Sequence, residues 1–268
     1  EQAGKRKGLS SAAAERRRAL ALYGQARRAE AEGAPRQALE KARKAIERAP
    51  DFVPAQVLAV RLTAAAGDRR RARRLLDEAW RRAPHPDLAA ALDDLGAGSD
   101  AKARLQAAQA LAALAPEDLE SRLLIAQQAI EAGAWEQARE QLDLVVAAAG
   151  GPRAYHLHGR LAERADGDAI AVRRWLERAA SALPDPAWLC QTCGWRGGEW
   201  VAFCPHCGDF DSLAWARPPG GAAPAALFAI DEEATVTEAI APPAELLQMD
   251  QAASSLAAIE GEIAKPEN

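Results

Sequence analysis

The four cysteines of the chain lie within one short segment, WLCQTCGWRGGEWVAFCPHCGDF, at residues 188–210. They form two C-x-x-C pairs, Cys190 with Cys193 and Cys204 with Cys207, separated by ten residues. Each pair is followed by glycine, which permits a tight turn whose backbone N–H groups face the cysteine sulfurs. Two such turns bring four thiolates into a tetrahedron, the arrangement typical of structural Zn²⁺. We therefore predict a zinc site made of these four cysteines.

Other chemistries of paired cysteines fit the sequence less well. Disulfides are disfavoured because no export signal is visible and each C-x-x-C would close a small loop. Thioredoxin-like redox chemistry needs a C-x-x-C at a helix N-terminus in an α/β context, which is missing. Iron in a rubredoxin-like site uses the same four ligands and stays open as an alternative metal. His206, inside the second pair, would be redundant as a ligand and is expected to face solvent.

The chain upstream of the cysteines contains a sequence repeat with a period of 34 residues. This spacing is typical of a pair of antiparallel helices. Glycine forms the turn between them, alanine allows them to pack closely, and proline ends the second helix. Such pairs bury their apolar faces only by stacking into a superhelix. The matching positions are Gly33 and Gly67, Ala38 and Ala72, Ala45 and Ala79, Pro50 and Pro84, and again Gly133 and Gly167.

The period and residue types are similar to those of tetratricopeptide repeats. We place repeats at about 19–52, 53–86, 119–152 and 153–186, with a degenerate third unit at 87–118. Repeats of this type present a groove, formed by the first helix of each pair, to a peptide or protein. In this register the candidate partner-binding residues, which are equally interpretable as ordinary surface or packing residues, are Tyr23, Arg27, Arg61, Leu123 and Gln127.

Composition predicts a mainly α-helical chain of four parts. Ala, Leu, Arg and Glu dominate the 268 residues, and no run of about 18 apolar residues indicates a membrane span. We expect a basic, partly helical segment at 1–18, a tetratricopeptide-type α-solenoid at 19–186, a zinc-ribbon (rubredoxin-like) β module at 187–216, and an acidic, Pro/Ala-rich disordered tail at 217–268.

The zinc ribbon is too short to fold on an apolar core alone, so metal should supply the missing folding free energy, about 10 kcal/mol or more. Its aromatic residues should cover the metal turns. Because the linker ALPDPAW is short, we expect the ribbon to cap the far end of the solenoid, around Trp175. An exposed end of a repeat stack needs such a cap.

Charge is distributed unevenly along the chain. Residues 1–90 carry 21 Lys and Arg against 11 Asp and Glu, whereas residues 91–268 carry 13 against 27. A basic half can bind nucleic acid or anionic lipid. The arginines are nevertheless interleaved with Glu and Ala at helical spacing, and the ribbon segment carries one basic residue, Arg196. We therefore expect solvated helix faces and no nucleic-acid binding.

The repeat text resembles the C-terminal half of alphaproteobacterial HemY proteins over about residues 20–216. The resemblance lies in APDFVPAQVLAVRL, RRLLDEAWRRAPHPDLAAAL, LAPEDLESRLLIAQQAIEAGAWEQAREQL and GDAIAVRRWLERAASALPDPAWLCQTCG. It implies a role in late haem biosynthesis and an inner-membrane protein whose N-terminal anchor is not in this chain. The resemblance leaves open which side of the membrane this portion faces, and the reduced cysteines favour the cytoplasm. The layout is also similar to LapB, an adaptor that joins such repeats to a rubredoxin-like ribbon and regulates envelope lipid synthesis through a protease.

These observations favour a non-catalytic scaffold that holds partner proteins. The sequence contains no Ser/His/Asp constellation, no phosphate loop and no open metal site. A competing hypothesis is direct haem binding by His156, His158 and the Cys204–Pro205 dipeptide. Against it, two histidines two residues apart point to different faces of a helix, and Cys204 is better used by metal. Haem is therefore not expected as a direct ligand.

Overall fold

The structure is a computed structural model that describes residues 11–96, 100–148 and 150–219. They belong to one compact unit, Glu1–Gly220. The tail predicted from residue 217 lies outside the described residues from position 220 onward, as do residues 1–10. The described elements are α1 (Ser11–Ala31), α2 (Pro35–Arg48), α3 (Val53–Ala65), α4 (Arg69–Arg82), α5 (Pro86–Asp94), α6 (Ala101–Ala112), α7 (Leu119–Ala132), α8 (Trp135–Ala147), α9 (Pro152–Asp166), α10 (Ala169–Ser181), β1 (Ala187–Cys190), β2 (Arg196–Gly197) and β3 (Leu213–Ala216).

The helices follow one another as hairpins, as the 34-residue period predicts. Gly33, Gly67, Gly133 and Gly167 lie in the turns between paired helices with φ of +72°, +87°, +71° and +64°. This left-handed conformation is strained for residues with a Cβ, which explains the repeated glycine. The predicted α-solenoid of helical hairpins is therefore confirmed.

The third hairpin departs from the period, as its degenerate sequence predicts. Its first helix, α5, is nine residues long. Its left-handed turn residue is Gly96, which follows Gly67 by 29 residues instead of 34. The shortened unit still carries core residues: Leu88 is fully buried, and Ala91 and Leu92 nearly so.

Small residues and a few large side chains share the core of the solenoid. Ala38, Ala72 and Ala138, each five residues after a turn glycine, are fully buried, which allows close approach of the paired helices. Trp80 is also fully buried, and its indole N–H donates to the Ser121 hydroxyl at 3.0 Å. This bond joins α4 to α7 across the short third hairpin.

The segment after α10 forms a three-stranded sheet with strand order β2-β1-β3. Both pairings are antiparallel, and Trp188 lies opposite Gly197 on one side and Trp215 on the other. A further bridge joins Phe203 to Phe210. We call residues 187–216 the ribbon. A small β module at this position matches the prediction from sequence.

The expected position of the ribbon at the far end of the solenoid is wrong. We call the surface formed by the first helices of the pairs, α1, α3, α5, α7 and α9, the first-helix face. The ribbon packs against part of it, at α1 and at the starts of α3 and α5. Arg16 of α1 donates two hydrogen bonds to Asp211, and Trp200 packs against Tyr23 of α1. Trp175, the expected contact, instead stacks on His158 within the solenoid.

The linker before the ribbon explains this placement. The Asp185 carboxylate accepts the backbone N–H of Arg153 at 2.8 Å, at the start of α9. Gly151 leaves room for this carboxylate, since a Cβ there would collide with it. Asp185 thereby compensates an unsatisfied donor of the helix terminus and turns the chain back from α10 toward the first-helix face.

None of the helices in the described part of the chain combines the length and apolar character needed to cross a bilayer.

Candidate metal centre

The four cysteine sulfurs form one compact cluster. All four Sγ atoms lie within 4.8 Å of one another. The Sγ–Sγ distance is 3.7 Å between Cys190 and Cys207 and 3.6 Å between Cys193 and Cys204. A tetrahedron with Zn–S bonds of about 2.3 Å has an edge of about 3.8 Å. The cluster therefore has the dimensions of a tetrathiolate site, and none of the four cysteines is in a disulfide.

Two similar backbone turns position the sulfurs. The N–H of Gly194 donates to the carbonyl of Cys190 at 2.9 Å, and the N–H of Gly208 donates to that of Cys204 at 2.8 Å. Both glycines are left-handed, with φ of +76° and +74°. The left-handed φ at each position explains why glycine follows each C-x-x-C, and the tight turns match the prediction from sequence.

The pKa values of the thiols are shifted in opposite directions within the cluster. The Ser212 hydroxyl, 3.2 Å from the Cys190 sulfur, lowers the pKa of that thiol to about 6, against opposition from burial. For Cys193 the N–H of Trp195 favours the thiolate, but partial desolvation of the sulfur and the neighbouring sulfurs outweigh it and raise the pKa to about 12. The pKa of Cys207 is raised as well. Four thiolates together therefore need a bound cation to offset their repulsion.

The donor set fits a structural metal. Four thiolates complete the shell of Zn²⁺ and equally that of iron in a rubredoxin-like site, and they leave no position for a reactive water. Cys190 and Cys204 are buried and Cys193 and Cys207 are exposed, so the centre lies at the edge of the ribbon. His206 is exposed.

Aromatic contacts join the ribbon to the solenoid beside the metal centre. Trp200, between the two cysteine pairs, packs against Tyr23 and Phe52 with ring centroids 5.7 and 4.8 Å away. Tyr23 and Phe52 are themselves 5.2 Å apart, and all three pairs meet edge to face. Edge-to-face packing is the favoured geometry of aromatic rings. The sequence gives no periodic signal for this contact.

A second contact centres on His85, which precedes α5. Its Nδ1 accepts the backbone N–H of Asp87 at 3.1 Å and caps the helix. Its ring lies 4.2 Å from that of Trp215 and 5.4 Å from that of Trp188, and 2% of the residue is exposed. Burial, assisted by the charge of Arg153, lowers its pKa to about 4. His85 is therefore neutral at neutral pH.

Four of the five candidate partner-binding residues border pockets on the first-helix face. Tyr23, Arg27 and Arg61 line a pocket of about 160 Å³ that Trp200 of the ribbon completes. Gln127 lines a second pocket, of about 210 Å³. Arg27, Arg61 and Gln127 are exposed, and Tyr23 is half-buried.

Leu123 is placed differently from the other candidates. It is 5% exposed and packs in the core with residues of α7, α8 and α9. Its neighbour Leu124, one helical position on, borders the pocket that Gln127 lines. The structure therefore gives Leu123 the packing role that was the alternative interpretation.

An ion pair that the sequence analysis missed borders the second pocket. Arg153 donates to both carboxylate oxygens of Glu120, at 2.7 and 3.0 Å. Glu120 is 8% exposed, and the pair links α7 to α9 on the first-helix face. Their 33-residue separation, close to the repeat period, was the available signal.

The residues considered for direct haem binding lie in different environments. His156 is exposed, whereas His158 is buried and stacks on Trp175 with ring centroids 4.0 Å apart. Burial is the main cause that lowers the pKa of His158. Cys204 belongs to the sulfur cluster. The two histidines therefore occupy different faces of α9, as their spacing predicts.

Comparison with known proteins supports the repeat assignment. A tetratricopeptide-repeat family model matches residues 29–95. A probable magnetosome protein, Mms48 of Magnetospirillum gryphiswaldense, is 30% identical over 210 residues. The match covers 78% of this chain and 46% of that protein, so the chain spans about half the length of its curated relative.

One solved structure also matches part of the chain. It comes from a functional characterization of Pseudomonas aeruginosa pilF, with 15% identity and coverage of 63% of this chain and 93% of that one. Its TM-score of 0.25 does not establish a shared overall shape. The family match and the hairpins of the structure together show tetratricopeptide-type repeats, a class of fold that generally mediates protein–protein interaction.

Proposed function

We propose that this protein is a non-catalytic scaffold that binds partner proteins on its first-helix face, beside a ribbon held by a structural metal ion. The observation that carries the proposal is the arrangement of Arg27 and Arg61. Both are exposed on successive first helices, and both border the pocket that Trp200 of the ribbon closes. In solenoids of this kind, the corresponding surface is the extended concave binding surface.

The charges around this pocket indicate what it would hold. Arg61 donates to Glu30 at 2.6 Å, and Asp87 and Glu199 add carboxylates to the lining of the pocket. A mixed-charge pocket with an aromatic wall suits a protein segment that presents both charges and an apolar side chain. Arginine and aromatic residues are also the types enriched at the centres of protein interfaces.

The metal has a structural role in this proposal. Zn²⁺ bound by Cys190, Cys193, Cys204 and Cys207, with iron as the alternative, would stabilise the turns on either side of Trp200. Because Trp200 forms one wall of the pocket, the metal would maintain the partner surface without touching the partner. The division into a basic segment, solenoid, ribbon and acidic tail is part of the same proposal.

Any more specific role than a protein-binding scaffold rests on resemblance to known families. The repeat text is similar to HemY, and the layout is similar to LapB, whereas the relative that matches over 210 residues is a probable magnetosome protein. We therefore propose only what the residues of this chain support, a partner-binding repeat surface with a metal-holding ribbon beside it. A link to haem biosynthesis, and attachment of the full-length protein to the inner membrane, are further proposals that come from the HemY resemblance. That this portion lies in the cytoplasm is a proposal that comes from its reduced cysteines.

Cross-linked co-purification with paired variants tests the proposal. The chain would be expressed in its native host with Arg27→Ala and Arg61→Ala combined, with Trp200→Ala, or with the matched control Arg36→Ala and Arg70→Ala. The control arginines are exposed at the starts of α2 and α4, the second helices of their pairs. For proteins that bind the wild type, we expect recovery to fall about tenfold or more with the first two variants. The control variant should recover them as the wild type does. Equal recovery with all variants would refute binding at this face.

A further inference from the structure

Helix α4 carries a concentration of positive charge that neither the metal centre nor the first-helix face uses. Its sequence, RRRARRLLDEAWRR, contains seven arginines, two acidic residues and no lysine. Arg73 is paired with Asp77 at 2.7 Å, and the guanidinium of Arg69 lies beside Gly96. The remaining five arginines are exposed and form no ion pair within residues 11–96, 100–148 and 150–219. We call these five the outer arginines: Arg70, Arg71, Arg74, Arg81 and Arg82.

The outer arginines act against the stability of their own helix. The first turn of α4 is basic, although the dipole of a helix favours acidic residues there. Arg70 and Arg74 are four residues apart, a spacing at which like charges repel across one helical turn. Elsewhere the chain pairs many of its arginines, as where Arg160 and Arg164 share the carboxylate of Glu131. Unpaired charge that opposes helix formation therefore indicates an anion supplied by another molecule.

The basic surface continues onto α2, which packs beside α4. Leu75 of α4 packs in one apolar cluster with Leu39 and Ile46 of α2. Burial, and next the charge of Arg71, lower the pKa of Arg43 on α2, so two guanidinium groups lie near each other on this surface. Helix α2 carries five Lys and Arg against two Glu. Positive charge therefore dominates both second helices.

Three of the outer arginines form a row along α4. At about 100° of rotation per residue, Arg70, Arg74 and Arg81 lie within about 40° of one another. The row is opposite Ala72 and Leu76, which are fully buried. Along the helix axis, about 6 Å separates the first arginine of the row from the second, and about 10.5 Å separates the second from the third. In an extended chain, residues two apart are about 6.6 Å apart and residues three apart about 10 Å apart. An extended segment of about six residues therefore matches the row.

The surroundings of the row restrict the kind of anion. Glu40 and Glu47 are exposed on α2, and a planar anionic membrane that covered both helices would meet these carboxylates. A narrow chain that follows α4 avoids them. Trp80 is the one aromatic residue of α2 and α4 and is fully buried, so no ring is available for stacking on nucleic-acid bases. Guanidinium groups bind carboxylates in a bidentate geometry. These conditions favour an acidic protein segment.

We propose that the outer arginines of α4 bind an extended acidic segment of a partner protein, with Asp or Glu at its first, third and sixth residues. The first two acids face Arg70 and Arg74, and the last faces Arg81. The residues between the second and third acids are uncharged, because Glu78 of α4 lies at that level of the helix. This surface is separate from the first-helix face, so a protein bound here is retained when Arg27 and Arg61 are replaced.

Two capped peptides of the same composition test the spacing on the full zinc-loaded chain. They are acetyl-EGEGGE-amide, which has the proposed pattern, and acetyl-EEEGGG-amide, which does not. The measurement is nuclear magnetic resonance of the arginine side-chain N–H groups at low salt. We expect the first peptide to shift the Arg74 and Arg81 resonances saturably and to bind about threefold or more tightly than the second. Its affinity should fall as salt is raised.

Variants with equal loss of charge separate this row from general attraction to a basic protein. Arg74→Gln combined with Arg81→Gln should weaken acetyl-EGEGGE-amide about tenfold, and glutamine preserves the helix. The matched control is Arg173→Gln combined with Arg174→Gln, at exposed positions of α10, and should leave the affinity unchanged.

Three results would overturn the proposal. Equal affinity of the two peptides, or equal weakening by both double variants, would mean that only overall charge attracts the peptide. The third result uses phosphatidylglycerol vesicles and duplex DNA as probes on the same chain. If either shifts the Arg74 and Arg81 resonances at lower concentration than acetyl-EGEGGE-amide does, the partner is a membrane or a nucleic acid instead of a protein segment.

Discussion

The solenoid and the ribbon are stabilised in different ways. In the solenoid each hairpin uses the same local devices, a left-handed glycine and buried alanines, and neighbouring hairpins cover one another's apolar faces. The ribbon has a sheet of short strands and few buried residues, which are Trp188, Leu189, Cys190, Cys204, Ser212 and Leu213. Its order therefore depends on four sulfurs and on the surface against which it docks. Stability is therefore distributed along the repeats and concentrated at one point in the ribbon.

Loss of the metal ligands should have the largest effect and should fall on the ribbon alone. We expect Cys193→Ser combined with Cys207→Ser to abolish metal binding and unfold the ribbon, because about 10 kcal/mol or more of its folding free energy comes from the ion. The helical circular dichroism signal of the solenoid should persist. Metal analysis and hydrogen exchange of the two regions measure these effects. A control, Ser181→Ala at the end of α10, should retain the metal.

Deletion of a large core side chain should produce the opposite pattern. Trp80→Ala removes a fully buried ring and its bond to Ser121, and should cost about 3–5 kcal/mol of unfolding free energy. Metal content should be unchanged. Leu183→Ala, at a residue 51% exposed, should change stability by less than about 0.5 kcal/mol. Denaturant unfolding monitored by the helical circular dichroism signal measures these changes. If the metal is lost at denaturant concentrations that leave the helices folded, the ribbon unfolds independently of the solenoid.

The features predicted correctly from sequence are those encoded locally. Gly33 and Gly167 indicate turns because a left-handed backbone conformation strongly favours glycine. The recurrence of such glycines at 34-residue intervals strengthens the prediction. The cysteines reveal their cluster because two C-x-x-C turns of the same kind can meet only around a common centre. The period did not fix which residues face the groove: Leu123 is buried in the core, since one residue along a helix rotates a side chain by about 100°, and partner binding by Gln127 stays a prediction.

The docking of the ribbon was not predictable in the same way. Trp200 meets Tyr23 and Phe52, which precede it by more than 140 residues and belong to a different type of structure. No period links such positions. The linker length suggested that the ribbon stays near α10, but its direction follows from contacts between residues distant in sequence, among them the hydrogen bond from the Arg153 N–H to Asp185.

Acid should weaken the junction between the two regions through His85. Its folded pKa of about 4 lies below the ordinary value of 6.5, so the unfolded state binds more protons between these two pH values. The stability that the neutral ring contributes is complete above about pH 6.5 and is lost as pH falls toward 4, by up to about 3 kcal/mol. Thermal unfolding from pH 7.5 to 4.5 measures this slope.

His85→Asn provides the control for this pH dependence. Asparagine keeps a capping acceptor for Asp87 but does not titrate, so the variant should show a shallower loss of stability over the same range. The cysteine thiolates also bind protons as metal is released, and metal content must therefore be followed in the same samples. An identical slope in wild type and variant would assign the acid sensitivity to the metal centre instead of His85.

The smallest effect should come from the ion pair between Arg16 and Asp211. The bidentate pair joins α1 to the ribbon, but Arg16 is 35% exposed and Asp211 15% exposed, so solvent screens it. Asp211→Asn removes the charge, and asparagine tolerates the left-handed φ of +52° at this position. With Arg16→Gln it completes a double-mutant cycle, for which we expect a coupling energy of about 1 kcal/mol, falling as salt is raised. Hydrogen exchange of the Asp211 N–H, which donates to the Ala202 carbonyl at 2.9 Å, reports this coupling at the ribbon itself. A coupling near zero at low salt would mean that aromatic packing alone fixes the ribbon to the solenoid.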